Sequence, residues 1–217
     1  MITKFSAKHF KSIKSAELDL GRVNVFVGAN GSGKSNLLEA LGVLAAAAFG
    51  KIDDESLVRR GCRPGGYFRP LFQDCDFEAN TEISAESRDA AYSVVLSGPE
   101  AGKPGNWEFR RELLTERGVP LIDRGGASGF KGDATAGLAA LKLAELEAER
   151  PAATFLRALS AYSIYLPNTS VLRGLAVDTQ NREPVGLSGG QLGRAINELQ
   201  NEPDTAHKVA EEFSIAV

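Results

Sequence analysis

The chain has 217 residues, 43% of them hydrophobic, and a formal net charge of −3 at pH 7. This balance is typical of a folded protein with a sizeable interior; it excludes a globally basic nucleic-acid binder, and no apolar run approaches the ~20 residues of a membrane span. The two cysteines, Cys62 and Cys75, form no C-x-x-C pair, so we expect neither a zinc site nor a disulfide framework. The N-terminus has no basic stretch followed by an apolar core, as a signal peptide would have, so we expect a cytoplasmic protein without a membrane anchor.

A β-hairpin is predicted at the start of the chain. Ala16, Leu18 and Leu20 alternate with acidic residues, which is the two-residue period of a half-buried strand, and Gly21 marks a turn. The valine-rich residues 23–27 then predict a further strand that leads into a glycine-rich turn and a helix.

The turn and the helix start carry the most specific pattern in the chain. Gly28, Gly33, Lys34 and Ser35 match G-x-x-x-x-G-K-[ST], the P-loop of nucleotide-binding proteins. Such a loop holds a triphosphate with backbone N–H groups, and the helix N-terminus adds partial positive charge. Lys34 is predicted to bridge the β- and γ-phosphates of ATP, and Ser35 to help hold Mg²⁺. The predicted ATP-binding residues are Gly28, Ala29, Asn30, Gly31, Ser32, Gly33, Lys34, Ser35 and Asn36. The alternative is a glycine-rich turn that binds nothing, but such a turn rarely needs a lysine and a hydroxyl at these two positions.

The helix after the loop is apolar on almost every face and is expected to end at Gly50, which predicts a helix buried beneath a sheet. Residues 51–76 then mix arginines with aromatic side chains. This composition fits a segment that binds a nucleic-acid strand by phosphate contact and stacking, and it fits equally a surface loop with solvated arginines. We favour the surface loop because the segment carries no further sequence pattern.

The run HFKSIKSAELDLGRVNVFVGANGSGKSNLLEAL resembles the N-terminus of ABC-type AAA ATPases related to the SMC, RecF and OLD-nuclease heads, over residues 1–49. The resemblance implies an α/β P-loop NTPase of the ABC-ATPase type, with a central parallel sheet, an antiparallel β layer and a small helical subdomain. It implies a phosphate contact for Lys11 and, together with Ser35, a magnesium contact for Gln73. It also implies ATPase heads that act as a homodimer or larger oligomer in DNA repair or anti-phage defence, with DNA and a nuclease or other effector as partners.

Strands and helices are predicted in turn after residue 76. Three runs with strand character, 77–84, 91–96 and 107–113, of which the first two alternate between apolar and polar residues, predict an antiparallel meander that would extend the β layer begun by the hairpin. Residues 134–150 predict an amphipathic helix, 151–160 a second helix with Pro151 in its first turn, and 162–166 a buried strand. We assign residues 1–124 to an ATP-binding core, and 125–217 to a helical or lid subdomain with the incomplete start of a C-terminal lobe.

The sequence LSGGQ at 187–191 spells the ABC signature, with Ser188 as a potential helix cap. An ABC ATPase also needs an apolar strand that ends in Asp-Glu, and Glu211 and Glu212 precede the last apolar residues instead of following them. We favour a coincidental cap, with the signature and the acidic strand outside these residues, over a true signature without an acidic strand. A small-molecule kinase and a non-hydrolysing nucleotide- or DNA-binding regulatory module stay open as alternatives, although the leading hairpin argues against a kinase.

Overall fold

The computed structural model describes residues 1–63, 80–98, 107–126, 129, 132–178 and 185–201. The chain divides into two units, Met1–Ser163 and Ile164–Val217. Within the described residues, no helix is both long enough and apolar enough to cross a bilayer. The domain assignment at residue 124 stays a prediction.

The first unit is built on a six-stranded sheet in the order β2-β1-β3-β4-β5-β6, in which every neighbouring pair is antiparallel. The strands are β1 (Lys4–Phe10), β2 (Ile13–Asp19), β3 (Thr81–Glu86), β4 (Ala90–Ser97), β5 (Glu108–Glu116) and β6 (Val119–Arg124). The predicted hairpin is therefore β1–β2, and the predicted meander continues its sheet. The hairpin and the antiparallel meander are confirmed, with strand bounds that differ by a few residues from those predicted; residues 77–79 of the first predicted meander strand lie outside the described residues.

One face of this sheet is covered by helices. On β4, for example, Ala90, Tyr92, Val94 and Leu96 are buried while the residues between them are half-exposed, as expected for a sheet with one buried face. Helix α1 (Lys34–Phe49) packs on β1, β3 and β4, and α4 (Pro151–Ser160) packs on α1, β4 and β5. The shorter helices of this unit are α2 (Asp54–Val58) and α3 (Ala139–Glu145), and the second unit contains α5 (Thr169–Leu172) and α6 (Leu192–Gln200).

Strand β6 was missed by the sequence patterns. Arg117 and Gly118 both have positive φ, 50° and 78°, and they form a two-residue connection between β5 and β6. Pro120 weakened the strand pattern, but β6 lies at the edge of the sheet, where a residue without an N–H group is tolerated.

The strand predicted immediately before the P-loop does not form in the described structure. Residues 23–27 have no strand partner among the described residues, and Val23, Val25 and Val27 are 75%, 79% and 90% exposed. Valine favours extended backbone, but a strand also needs a neighbour that completes its hydrogen bonds, so the local prediction was insufficient.

The helix predicted over 134–150 is much shorter in the structure. Its first part binds neighbouring segments, because the Phe109 N–H donates to the Ala134 carbonyl at 2.7 Å and the Gly137 N–H to the Gly50 carbonyl at 2.8 Å. Only Ala139–Glu145 is helical, and Leu141 on this helix is 66% exposed. The prediction of one amphipathic helix was therefore wrong in extent, whereas the helix that begins at Pro151 is confirmed.

The buried strand predicted over 162–166 is wrong. These residues form no strand, and Leu166 at the start of the second unit is 59% exposed. Its N–H group donates to the Leu187 carbonyl at 2.9 Å, and the Asn168 N–H to the Ser188 carbonyl at 3.0 Å, but these two bonds do not form a strand over 162–166. A short apolar run is ambiguous when its neighbours in space are unknown.

Candidate functional site

The predicted P-loop is an exposed turn that ends at the N-terminus of α1. Gly31 and Gly33 have φ values of 83° and 93°, a region that glycine adopts without steric cost. Gly33 immediately precedes Lys34, the first residue of α1, and no side chain caps this helix end. The first N–H groups of the helix, which have no partner inside it, therefore face the loop.

The ammonium group of Lys34 lies within this turn. Its Nζ donates to the carbonyl oxygens of Gly28 and Ala29, both at 2.7 Å, and to Ser32 Oγ at 3.3 Å. A Cβ at position 28 would lie 3.0 Å from Ser32 Oγ and 3.9 Å from Lys34 Nζ, so a larger residue would crowd the lysine. The sequence of small residues thus lets the turn close around one positive charge.

The donors at this site suit an anion that carries several charges. Backbone N–H groups at a helix start, a lysine ammonium and the Ser35 hydroxyl are grouped within one exposed segment, 28–36. Asn36 Nδ2 donates to Ser12 Oγ at 2.7 Å, and this bond fastens the turn between β1 and β2 to the first turn of α1. Gly33 lies against the same hydroxyl, since a Cβ there would be 3.1 Å from Ser12 Oγ.

Lys11 lies at this hairpin turn, but its ammonium binds a carboxylate. Its Nζ donates to Glu39 Oε2 of α1, and both side chains are almost completely buried, at 3% and 7% exposed. Lys11 also has a positive φ of 51°, so its backbone holds a conformation that few non-glycine residues adopt. Its assignment as a phosphate contact stays a prediction.

Glu39 binds a second cation, which the sequence reasoning did not connect to the P-loop. Arg63 donates to the Glu39 carboxylate from Nε at 2.8 Å and from Nη2 at 3.0 Å. Burial acts to raise the pKa of Glu39, but the hydrogen bonds from Arg63 and Lys11 outweigh it and hold the pKa below its usual value. The pKa of Lys11 is lowered by burial despite the carboxylate, whereas Glu39 raises the pKa of Arg63.

The ion cluster predicts a pH-dependent stability. The folded pKa of Glu39 lies below the ordinary 4.5, so its charge stabilises the fold above that pH and loses this effect as the pH falls through the folded value. At pH 7, Glu39→Gln should reduce the free energy of unfolding by about 2 kcal/mol, the scale of charge-assisted hydrogen bonds. Urea titrations should show this difference shrinking in acid, because the wild-type side chain is then neutral too. A difference that stays constant with pH would contradict the assignment.

The LSGGQ turn belongs to the second unit. The N–H groups of Ser188 and Gly190 both donate to Asp178 Oδ2 at 3.0 Å, so a carboxylate of the same unit satisfies them. The predicted helix behind the turn is present as Leu192–Gln200, but it begins four residues after Ser188, so Ser188 is not its capping residue. The interpretation of LSGGQ as a true signature stays open.

Some predicted features lie outside the described residues. These are the part of the arginine- and aromatic-rich segment that follows Arg63, which includes Gln73, and the C-terminal residues 202–217. The magnesium role of Gln73 therefore stays a prediction.

A glycine-rich turn with a lysine inside it, at the start of a helix, is the local geometry of a P-loop phosphate site. Residues 1–96 match the model of the family described as AAA ATPase domain. The resemblance to AAA-type ATPases inferred from the sequence is therefore confirmed for the N-terminal part of the chain.

Two curated relatives are similar to part of this chain. The chain is 29% identical over 131 residues to the DNA replication and repair protein RecF of Clavibacter michiganensis, an alignment that covers 59% of this chain and 32% of the relative. It is 37% identical over 144 residues to RecF of Leifsonia xyli, covering 55% of this chain and 37% of the relative. The chain thus spans about a third of the length of these relatives, and its N-terminal half resembles an ATPase of the RecF and SMC type.

Proposed function

We propose that this chain binds Mg·ATP through residues 28–36 as part of an ABC-type ATPase head. The observation that carries the proposal is the position of the Lys34 ammonium, which lies inside a glycine turn at the N-terminus of α1. Phosphate oxygens would replace the carbonyl oxygens of Gly28 and Ala29 as its partners, and they would also accept from the N–H groups of the helix start. Ser35 would supply a hydroxyl ligand to Mg²⁺.

The exposed valines before the loop support a central parallel sheet as part of the same proposal. Val23, Val25 and Val27 have the composition of an inner strand but remain solvent-exposed in the described structure. Strands on either side of 23–27, including the acidic strand that polarises water for hydrolysis, would bury them. We therefore propose ATP hydrolysis only for an ATPase head in which these additional strands, including the acidic one, flank residues 23–27.

DNA is the first partner that we propose, because the relatives are named for DNA replication and repair. Dimerisation of ATPase heads and an associated nuclease are further proposals, which rest only on the resemblance of the sequence to ABC-type heads. Electrostatic contact with DNA weakens steeply as salt is added. In a mobility-shift assay at low salt, this chain should therefore retard labelled DNA. Unchanged mobility of the DNA would contradict the proposal that DNA is a partner.

The proposed function predicts that this chain binds ATP with very little turnover. Calorimetry with Mg·ATP should give saturable binding with one nucleotide per chain, because the loop, the lysine and the helix start are all present. Phosphate release should stay close to background, because no Asp-Glu strand is recognised in the sequence. Rapid turnover would contradict the proposed need for a further strand, and absence of binding would contradict the proposed function itself.

A further inference from the structure

A buried carboxylate on α1 connects three segments beside the candidate phosphate site. Glu39 lies five residues after Lys34 on the same helix. It binds Lys11 from the turn between β1 and β2, and Arg63 from the segment that follows α2. Two cations share one carboxylate, so the cluster carries a net positive charge next to the helix start.

Arg63 lies along the face of α1 that leads back to the P-loop. Its Nη2 donates both to Glu39 Oε2 at 3.0 Å and to Asn36 Oδ1 at 3.2 Å. Asn36 and Glu39 are three residues apart and share a helix face. Because Asn36 is the third residue of α1, this bond places the guanidinium beside the first turn of the helix.

Part of the Arg63 guanidinium is exposed in the described structure. The Arg63 side chain is 60% exposed although its carboxylate partner is only 7% exposed. The bonds to Glu39 and Asn36 use Nε and Nη2, and within the described residues Nη1 makes no hydrogen bond. An arginine that is fixed on one edge and open on the other is suited to bind phosphate, because its planar fork keeps its direction without a further loss of rotamer freedom.

We propose that Arg63 contacts the phosphates of the bound nucleotide and that Glu39 is the positioning residue that directs it there. This inference rests on the proposed function, since it needs a nucleotide in the loop at 28–36. It assigns Arg63 a second positive charge at the phosphate site, next to that of Lys34. It also accounts for an ion pair whose carboxylate is buried while its arginine remains half outside the protein.

Calorimetry of the 217-residue chain with Mg·ATP tests the contact. Arg63→Ala should weaken binding by roughly ten- to a hundredfold, the scale of one charge-assisted hydrogen bond. Arg110→Ala is the matched control, because Arg110 is an exposed arginine on β5, three strands away from β1. We expect its affinity to stay within about twofold of the wild type.

The positioning role has its own test. Glu39→Gln should weaken Mg·ATP binding because Arg63 loses its anchor, and this loss should largely disappear when Arg63 is already alanine. A Glu39 effect that persists undiminished in the Arg63→Ala background would overturn the positioning role. If Arg63→Ala does not fold, Arg63→Lys is the second variant, because it keeps the positive charge but lacks the planar guanidinium group. It should bind Mg·ATP several-fold more weakly than the wild type.

The outcomes separate this inference from the proposed function. Wild-type chain that binds Mg·ATP, with Arg63→Ala or Arg63→Lys binding equally well, overturns the role of Arg63 and leaves the P-loop proposal standing. Wild-type chain that binds no Mg·ATP overturns both.

Discussion

Replacing Lys34 with alanine is expected to abolish detectable Mg·ATP binding. The ammonium is the only side-chain cation that donates to the turn at 28–32 in the described structure, with bonds of 2.7 Å to Gly28 and Ala29. In the proposed complex it would neutralise charge on two phosphate groups at once, so its loss should cost at least about a hundredfold in affinity. Calorimetry on the purified variant measures this directly.

Lys51→Ala is the matched control for this experiment. Lys51 lies just beyond the opposite end of α1, and its exposed ammonium pairs with Asp53 at 2.8 Å. Removing it changes the net charge of the chain by the same amount as Lys34→Ala, so a general electrostatic effect would appear in both variants. Equal affinities of wild type and Lys34→Ala for Mg·ATP would refute the role of the loop.

Removing the Glu112 carboxylate is expected to produce the largest loss of stability in the first unit. Glu112 on β5 is completely buried and accepts hydrogen bonds from Tyr92 Oη at 2.9 Å and Arg124 Nη2 at 3.0 Å. It also accepts from the N–H groups of Leu138 and Ala139, at 2.8–3.0 Å, and so caps the start of α3. One side chain therefore joins β4, β5, β6 and α3.

Glu112→Ala leaves several buried groups without their partner. The Arg124 guanidinium, 8% exposed, would lose its counter-charge. Burial raises the pKa of Tyr92, so its hydroxyl stays protonated and would lose its acceptor. We expect urea unfolding to show a loss of about 3–5 kcal/mol, the cost of breaking a buried ion pair from one side. This is a large part of the total stability of an ordinary domain.

Glu108→Ala is the control on the same strand. Glu108 is 44% exposed and pairs with exposed Arg110 at 3.1 Å, so its removal should change stability by only about 0.5 kcal/mol. Similar losses for the two variants would mean that the buried network contributes no more than a surface ion pair.

The parts of the fold that were predicted correctly depend on neighbours in sequence. The P-loop is specified by Gly28, Gly33, Lys34 and Ser35 within one short segment, and the helix that follows ends at Gly50, which takes a φ of 105°. Likewise, the alternation of apolar and polar residues along β3 and β4 can be recognised within each strand by itself. Such features need no knowledge of distant contacts.

The features that were missed or wrong depend on contacts between distant residues. Glu39 and Arg63 are 24 residues apart, and nothing in either local pattern indicates that they meet beside the P-loop. Glu112 and Ala139 are 27 apart, and the bond between them helps to set where α3 begins. The strand at 23–27 was predicted from valines alone, although a strand also requires a partner that propensity does not supply.

A crystal structure of this chain with Mg·ATP would show whether residues 28–36 hold the nucleotide. We expect the phosphates within residues 28–36, with the Lys34 ammonium on phosphate oxygens in place of the Gly28 and Ala29 carbonyls that it contacts in the present structure. Nucleotide bound elsewhere on the chain, with Lys34 still on those two carbonyls, would contradict this expectation.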